Sequence, residues 1–493
     1  MSNRATLSGV DQPPPSDRPT RAAEVRRVVD ELGDWSVGGG PLFRRLVVAL
    51  TRAIERGAVV PGARLPSERA LAAALRVSRG TAVTAYALLV ADGLIERRVG
   101  SGTFAVGSAA VGLPAGREGS ALVARLVARS AEPTDQLIDL SISVLHDGAG
   151  LPEAGVTTGD LLSEVPDAGY GPWGRLGLRR AVADLLGGWG LPSTPEQIVI
   201  TTGAQQALSL AASCWIRPGD RVALDDPTYP GALSAFTAAG AALVGLPVDH
   251  GGPRPGPLAE AFAAHPAMAY LQTGPHSPTG LVLPRERRRE VADLLVASRV
   301  PLVEDLALAG LAWAPGPPPL AALVPSHPTA VVGSLSKLLW GGLRLGFVRA
   351  SEPVALRFAR VKATHDLGSS VVSQILAERL LASPGLTAFL ANRRAKLQGR
   401  YAVLARGLAE ALPDWSWTEP QGGLSVWVRL PAPVADPFAQ VALRQGVAVA
   451  TAEALSVTGA HRDRLRLSFA GARGGLRAGV SRLASAWWAF ATG

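Results

Sequence analysis

Apolar residues near the start of the chain recur at the spacing of three short helices. The first is predicted over 41–56, the second over 67–75 and the third over 78–93. Ser67 and Ser78 stand where a helix N-cap is needed, and serine is among the preferred capping residues. The third helix is expected to pack one face against the others, with Val83, Tyr86, Ala87, Leu89 and Val90 on that face.

Two short segments after these helices predict a hairpin. Residues 94–98 and 103–106 have strand-like composition, and the glycines of the Gly100-Ser101-Gly102 segment between them favour a turn. Three helices followed by a two-stranded hairpin indicate a winged helix-turn-helix, a small α+β domain, which we place at 41–107. Residues 1–40 contain three consecutive prolines and three consecutive glycines and are predicted to be a flexible extension.

The rest of the chain has a different pattern, in which short apolar strands alternate with helical segments. A stretch rich in Gly, Ala and Ser, 108–136, is predicted to be a linker, and a second domain extends over 137–493. Because such alternation is typical of largely parallel sheets, this domain is predicted to be α/β, with a smaller α+β lobe from about residue 372. The predicted strands are 197–201, 221–224, 242–247, 268–272, 301–304, 330–333 and 346–349, followed by 423–430 and 464–469 in the smaller lobe.

Length and composition limit the kind of protein this is. A chain of 493 residues with 47% apolar and 18% charged residues is expected to form roughly two to four globular domains. No apolar run approaches the roughly 18–20 residues of a membrane helix, and the polar N-terminus lacks the apolar core of a secretory signal. The single cysteine, Cys214, excludes internal disulfides and a cysteine-based zinc site, so we expect a cytoplasmic protein without a metal site.

The positive charge of the chain is concentrated in the first domain. Residues 41–107 hold ten arginines and four acidic residues, a net charge of +6, whereas the other 426 residues share +3. A basic module ahead of a nearly balanced body is typical of a domain that binds a polyanion. A solvated arginine-rich surface explains the charge equally well, so charge alone leaves both interpretations open.

The residues at the start of the third helix favour the first interpretation. Ser78, Arg79 and Thr81 place two hydroxyls and a guanidinium at a helix N-terminus, where backbone amides attract phosphate and arginine can bind guanine in the major groove. Serine capping is a sufficient structural role for Ser78, but it does not explain Arg79. The segments 65–72, 77–81 and 100–103 resemble the winged helix of the GntR family. This resemblance implies DNA contacts for Arg69, Ser78, Arg79, Thr81 and Gly100.

Lysine is rare in this chain, and one lysine has an unusual setting. A lone lysine is usually a solvated surface group, but Lys337 is one of only three and lies between apolar segments, where a charged ammonium is costly. An imine formed with a cofactor aldehyde removes that cost. The hydroxyls of Ser334 and Ser336 and the guanidinium of Arg344 are available donors for a phosphate group. This pattern predicts a pyridoxal 5'-phosphate site with Lys337 as its catalytic residue.

Further segments follow in the order found in fold type I aminotransferases, and together they resemble that family over 138–469. A glycine turn after the strand 197–201 begins a helix whose amides can hold phosphate, and Asp305 at the end of another strand can keep a pyridine nitrogen protonated. Each segment alone also has an ordinary structural explanation, so their order carries the resemblance. It implies that the cofactor contacts Lys337, Asp305, Arg344, Ser334, Ser336, Tyr229, Ala204, Gln205, Ser277 and Tyr170, and that Arg466 binds the α-carboxylate of an amino-acid effector.

Two positions depart from the family pattern near the phenolic oxygen of the cofactor. The family has Asn before Pro-Thr-Gly, where this chain has Ser277, and a Tyr after the aspartate, where this chain has Ala307 and Leu308. Loss of both donors is expected to raise the imine pKa, weaken cofactor binding or prevent efficient transamination. Lys337, Asp305 and Arg344 remain, so we expect the cofactor still to bind.

The order of the modules resembles the MocR (PdxR/GabR-like) subfamily of GntR transcription regulators over nearly the whole chain. The resemblance implies a homodimer that binds paired repeats on double-stranded DNA, with the cofactor or an amine effector altering the affinity for the operator. Two alternatives stay open: a working aminotransferase with an accessory DNA-binding head, and a regulator that no longer binds the cofactor. The missing donors at 277 and 307–308 count against the first of these.

Overall fold

A computed structural model describes most of the chain, and two compact units are evident in it. The described residues are 28–29, 31–32, 35, 41–55, 59, 63–91, 94–98, 102–105, 137–145, 150–164 and 169–492. The two units, Met1–Gly116 and Arg117–Gly493, are called here the head and the body. All of the predicted linker lies outside the described residues, so its boundaries stay predictions. Most of the predicted extension also lies outside them, but Val28 and Leu32 are buried in the core of the head, so this part of the predicted flexible extension is wrong. Within the described ranges, no helix is long and apolar enough to cross a bilayer.

From residue 41 onward, the described residues of the head form three helices and a small sheet. Ser67 caps the second helix by accepting a hydrogen bond from the Ala70 amide at 3.3 Å, and Ser78 caps the third through the Thr81 amide at 3.1 Å. The three predicted helices and the hairpin are confirmed. The sheet order is β1-β3-β2, so the wing has an additional strand, β1, that the sequence did not predict. The elements of the head are α1 (Leu42–Glu55), β1 (Arg64–Leu65), α2 (Glu68–Leu75), α3 (Arg79–Ala91), β2 (Ile95–Arg98) and β3 (Gly102–Ala105).

The buried face of α3 differs from the face that the sequence predicted. Val83 and Val90 are 38% and 37% exposed, and Ala87 is also exposed, so their assignment to the core is wrong. The Tyr86 hydroxyl donates a hydrogen bond to the Pro66 carbonyl at 2.7 Å inside the core. Because α3 has apolar residues on nearly every side, packing against α1 and α2 selects the buried face. That face consists of Ala82, Ala85, Tyr86 and Leu89.

An eight-stranded sheet forms the centre of the body, after a short first strand β4 (Ile138–Asp139). Its strands are β5 (Ile198–Thr201), β6 (Arg221–Asp226), β7 (Ala242–Asp249), β8 (Gly252–Pro253), β9 (Met268–Gln272), β10 (Leu302–Asp305), β11 (Thr329–Ser334) and β12 (Gly346–Arg349). They lie in the order β5-β12-β11-β10-β9-β6-β7-β8, and all seven predicted strands of this lobe are present. β7, β6, β9, β10 and β11 run parallel, so their carboxyl ends meet at one edge, where ligands usually bind.

Helices pack against this sheet and bury its strands. Every residue of β5, β9, β10 and β11 is buried, as expected of strands covered on both faces. The predicted α/β class is therefore confirmed. The helices of this lobe are α4 (Thr158–Glu164), α5 (Leu176–Gly188), α6 (Ala204–Trp215), α7 (Pro230–Ala238), α8 (Pro255–Ala263), α9 (Arg285–Ser298), α10 (Leu320–Leu323), α11 (Leu335–Leu338), α12 (Glu352–Asp366) and α13 (Val371–Ala382).

The smaller lobe has its own four-stranded sheet, in the order β13-β14-β17-β16. Its elements are α14 (Leu386–Ala411), β13 (Ser416–Trp417), β14 (Ser425–Arg429), α15 (Ala435–Arg444), β15 (Val447–Ala448), β16 (Ala450–Thr451), β17 (Arg464–Ser468) and α16 (Arg473–Thr492). β4 pairs in parallel with β15, and Leu140 and Leu145 join the core of this lobe. The smaller lobe thus includes a segment from the start of the body that its place in the sequence did not indicate.

Candidate functional site

The ends of β10 and β11 bring Asp305 and Lys337 to the same edge of the sheet. Asp305 is the last residue of β10, and Lys337 follows β11 in the short helix α11. The Ser334 hydroxyl caps α11 by accepting a hydrogen bond from the Lys337 amide at 3.2 Å. The Ser336 hydroxyl exchanges hydrogen bonds with the backbone of Leu345 at 3.1 and 3.2 Å. These contacts fix the backbone of Lys337 against the turn that precedes β12.

The side chain of Lys337 is placed for nucleophilic chemistry. Its Nζ donates a hydrogen bond to the Ser143 carbonyl at 2.6 Å. Burial, and then the charges of Arg466 and Arg344, lower the Lys337 pKa from the ordinary 10.5 to about 8. A lower pKa raises the neutral fraction of the amine near neutral pH, and the neutral amine is the form that attacks a carbonyl.

Asp305 is held by two hydrogen-bond donors. The Tyr270 hydroxyl on β9 donates to Oδ2 at 2.5 Å, and the Ala307 amide donates to Oδ1 at 2.7 Å. Burial raises the pKa of Asp305, and these two hydrogen bonds oppose the rise. Tyr270 was not predicted as a site residue, because a tyrosine inside an apolar strand is not distinguished from a core residue. Only the pairing of β9 with β10 brings it to Asp305.

The turn between β5 and α6 forms a cradle for an anion. Gly203 has a φ of +80°, which favours glycine, and no side chain caps the helix. The first amides of α6, from Ala204 onward, have no partner within the helix and favour a negative group. A β-carbon built on Gly203 would lie 3.9 Å from Arg344 Nη2, so the guanidinium faces this turn. Gly346 packs against the same turn so closely that a β-carbon there would lie 2.8 Å from the Ala204 nitrogen.

Tyr229 lies beside this cradle, at the residue before α7. Its hydroxyl donates to Gln205 Oε1 at 3.2 Å, and Gln205 Nε2 donates to the Gly231 carbonyl at 2.8 Å. Burial raises the pKa of Tyr229; the charge of Asp305 adds to the rise and that of Arg466 opposes it. The ring therefore lies near the charges of Asp305, Arg344 and Arg466, and these residues together with Lys337 are called here the cleft.

Arg466 on β17 extends from the smaller lobe into the same cleft. It is 3% exposed and donates a hydrogen bond to the Ser141 carbonyl. Its buried Nε has no hydrogen-bond partner among the described residues. Burial lowers the Arg466 pKa to about 10, while Tyr229 and Asp139 oppose this change. A buried guanidinium with an unused donor is suited to a carboxylate, which arginine binds through two parallel hydrogen bonds.

Ser277 and Tyr170 have different settings. Ser277 is 8% exposed, and its backbone exchanges hydrogen bonds with the Gln272 side chain at 3.0 and 3.1 Å, so it lies at the carboxyl end of β9. Tyr170 is 69% exposed and is not buried with the cleft residues. Ala307 and Leu308 carry apolar side chains where the family has a tyrosine donor.

A buried polar pair near Asp305 was not predicted. Asp225 on β6 accepts a hydrogen bond from the Gln272 amide at 2.8 Å, and its Oδ2 lies 3.7 Å from His276 Nε2. Burial raises the pKa of Asp225 to about 8, with a contribution from Asp305, and burial lowers the pKa of His276 to about 3. Both groups therefore favour their neutral forms at neutral pH. The only signal in the sequence was an acidic residue at a strand end.

The predicted DNA contacts of the head lie on α2 and at the start of α3. Arg69, Ser78 and Arg79 are exposed, and Thr81 is half-buried. Ser78 Oγ and Thr81 Oγ1 are 2.9 Å apart, so capping already engages both hydroxyls. Arg79 is the first residue of α3. Gly100 lies outside the described residues.

The donor set of the cleft fits a phosphopyridoxyl group. It combines an amine of low pKa, a buried carboxylate, a glycine turn at a helix start and a buried arginine with an unused Nε. The fold and this site define an aminotransferase-like body that follows a winged-helix head. Residues 135–483 match the family Aminotransferase class I and II, and residues 42–105 match the bacterial regulatory proteins of the gntR family. The chain belongs to the aminotransferase class I and II family, and its head places it with the MocR-like subfamily of GntR regulators.

Similar proteins include transcription regulators and aminotransferases. The chain is 31% identical over 465 residues to YisV, an uncharacterized HTH-type transcriptional regulator of Bacillus subtilis (strain 168), covering 90% of this chain and 95% of that protein. It is 28% identical to the probable rhizopine catabolism regulatory protein MocR of Rhizobium meliloti, covering 76% and 78%. The crystal structure of LysN, an α-aminoadipate aminotransferase from Thermus thermophilus complexed with N-(5'-phosphopyridoxyl)-L-leucine, covers 73% of this chain and 94% of LysN, with a TM-score of 0.66 and 26% identity. The family match and such neighbours indicate pyridoxal 5'-phosphate as the cofactor, as the sequence predicted.

Proposed function

We propose that this protein is a transcription regulator whose body senses amines through pyridoxal 5'-phosphate on Lys337. The supporting observation is that Lys337 and Arg466 donate hydrogen bonds to two carbonyls of one segment, those of Ser143 and Ser141. An amine site and a carboxylate site therefore lie along the same short stretch of backbone. An effector with both groups, such as an amino acid, can use both sites at once.

The cleft residues have distinct parts in this proposal. When bound, the cofactor supplies an electrophilic carbon to which primary amines can add. Asp305 would keep the ring nitrogen of the cofactor protonated, and Tyr229 would supply an aromatic contact to the cofactor ring. Arg466 orients the effector carboxylate. The phosphate would be held by Ala204, Gln205, Ser334, Ser336 and Arg344. Ser277 and Tyr170 complete the proposed cofactor contacts.

A ligand that bridges the two lobes can act as a switch. Lys337 belongs to the larger lobe and Arg466 to the smaller one. Such a ligand favours one arrangement of the lobes only by its difference in affinity for the two arrangements. The segment 137–145 follows the predicted linker directly and contacts both residues. We propose that this segment transmits the conformational change caused by the ligand to the head.

In this proposal the head binds DNA. Arg79 and the first turn of α3 enter the major groove, and Arg69 contacts the backbone. We propose a homodimer whose two heads bind paired repeats on double-stranded DNA in the cytoplasm. The ligand changes the spacing or orientation of the heads and so the affinity for the operator.

The test is DNA binding by the full chain, using a sequence selected from a random duplex library. Affinity is measured by fluorescence anisotropy with and without pyridoxal 5'-phosphate and a panel of amino acids. We expect at least one amino acid to change the affinity by about fivefold or more. The Lys337→Ala variant should bind DNA but lose this response, whereas Lys396→Ala should keep it. A response that persists in Lys337→Ala would reject the proposal.

A working aminotransferase is the second candidate, because Lys337, Asp305 and Arg466 are all present in one cleft. The apolar side chains at Ala307 and Leu308 argue against efficient turnover, since they cannot donate to the phenolic oxygen. Spectra of the cofactor-loaded protein with an amino acid and a keto-acid acceptor decide between the two. Repeated turnover would favour the enzyme; at most a single conversion would favour the sensor.

A further inference from the structure

A second lysine, Lys362, is buried outside the cofactor cleft. It lies on α12 and is 0% exposed, and its Nζ is 2.6 and 2.7 Å from the two carboxylate oxygens of Asp366. Lysine is almost never fully buried unless it is paired, because removing its charge from water is costly. The chemistry proposed for the cleft does not use this ion pair.

The ion pair is connected to the turn that precedes α6. Asp366 Oδ2 also accepts a hydrogen bond from Gln206 Nε2 at 2.7 Å, and Gln206 Oε1 accepts one from the Thr202 amide at 2.8 Å. Thr202 immediately precedes Gly203, whose positive φ shapes the anion cradle. A continuous chain of hydrogen bonds thus leads from the ammonium of Lys362 to the backbone of the cradle.

The charges in this network have opposite effects on an anion in the cradle. Asp366 is a carboxylate near the first turn of α6, and it would repel a phosphate dianion held by the same helix end. Lys362 compensates this charge and leaves Asp366 free to anchor Gln206. Burial lowers the pKa of Lys362, while the hydrogen bond and charge of Asp366 oppose that change and favour the ammonium.

We infer that Lys362 is a positioning residue for the cofactor phosphate: it fixes and neutralises Asp366, and through Gln206 it holds the Thr202–Gly203 turn. This inference rests on the proposed cofactor site. It concerns the phosphate specifically: among the described residues Asp366 is hydrogen-bonded to Lys362, to Gln206 and to the Gly368 amide, and none of these bonds reaches Lys337 or Asp305.

Comparison of two aldehydes tests this inference. Dissociation constants of pyridoxal 5'-phosphate and of pyridoxal, which lacks the phosphate, are measured by absorbance and equilibrium dialysis on the full chain. In Lys362→Met we expect the affinity for pyridoxal 5'-phosphate to fall about tenfold or more, the effect of losing a hydrogen-bonded charge, with the affinity for pyridoxal unchanged. Lys396→Met removes an exposed lysine on α14 and should change neither value.

The ratio of the two affinities distinguishes positioning from general destabilisation. Equal losses for both aldehydes, or no loss, would overturn the inference. If Lys362→Met does not fold, the double variant Lys362→Met with Asp366→Asn removes both charges and keeps an acceptor for Gln206. Its affinity ratio should match that of the unmodified protein, and a ratio that stays low would overturn the neutralising role. An unmodified protein that binds both aldehydes equally would instead contradict the phosphate cradle itself.

Discussion

The small number of lysines allows a direct test of the setting of Lys337. Burial, Arg466 and Arg344 lower its pKa to about 8. Near pH 7.5 an amine with that pKa is about one-quarter neutral, whereas an amine at the ordinary lysine value is only about one-thousandth neutral. Because the neutral amine is the nucleophile, we expect Lys337 of the cofactor-free protein to react roughly two hundred times faster than an ordinary amine of equal accessibility and equal intrinsic reactivity.

The assay is brief acetylation of the cofactor-free protein at a series of pH values, followed by peptide mass spectrometry. Lys396, exposed on α14, is quantified in the same samples and corrects for the activity of the reagent. We expect labelling of Lys337 to rise with a midpoint at about pH 8. In Arg466→Met, loss of the neighbouring cation should move the midpoint up by roughly one pH unit.

Two results would contradict this reasoning in different ways. A Lys337 midpoint near that of an ordinary amine would refute the low-dielectric setting of the side chain. A midpoint near pH 8 that does not move in Arg466→Met would refute the electrostatic coupling of the two residues and leave burial as the cause. Circular dichroism of the variant establishes that the fold is retained.

Three further predictions concern the head and the buried polar pair. Arg79→Ala should lower operator affinity by about tenfold or more without altering the cofactor spectrum, whereas Arg299→Ala on the body should not; equal DNA affinity would contradict the recognition-helix assignment. Burial raises the Asp225 pKa from 3.8 to about 8, so the folded state binds more protons between these values and stability falls as pH rises through them. The melting temperature of Asp225→Asn minus that of the unmodified protein should therefore increase between about pH 5 and pH 8. A difference in melting temperature that stays constant over this range would refute this. Tyr86→Phe loses the hydrogen bond to Pro66 and should lower the free energy of unfolding of the head by about 1 kcal/mol in denaturant titration.

Patterns of apolar and capping residues within short segments were sufficient to predict most of the fold. The strands and the helices of the head were predicted because periodicity and capping act over a few neighbouring residues. The third helix was the exception, because an apolar surface on nearly all sides leaves its orientation to the packing of α1 and α2. The wing strand β1 was missed because only its pairing with β3 makes two residues a strand.

The candidate site likewise contains residues that the sequence could associate and residues that only packing brings together. Ser334, Lys337 and Arg344 lie within one short segment, so the sequence could associate them. The contributions of Lys362 and Tyr270 to the site could not be predicted from their neighbours in the sequence. Lys362 and Asp366 are four residues apart on α12, but Gln206 joins this pair, and Asp305 meets Tyr270, only when distant helices and strands pack together.

By itself the sequence determined the two-module organisation, the strand and helix order, and the residues with reactive groups. These properties depend on hydrophobic periodicity and on side-chain chemistry, and both are local. Only the tertiary structure decided that Lys337 and Arg466 donate hydrogen bonds to one backbone segment and that burial moves the pKa values of Lys337 and Asp225 to about 8. Burial and charge pairing depend on which distant segments exclude water from a side chain, and no local pattern specifies that.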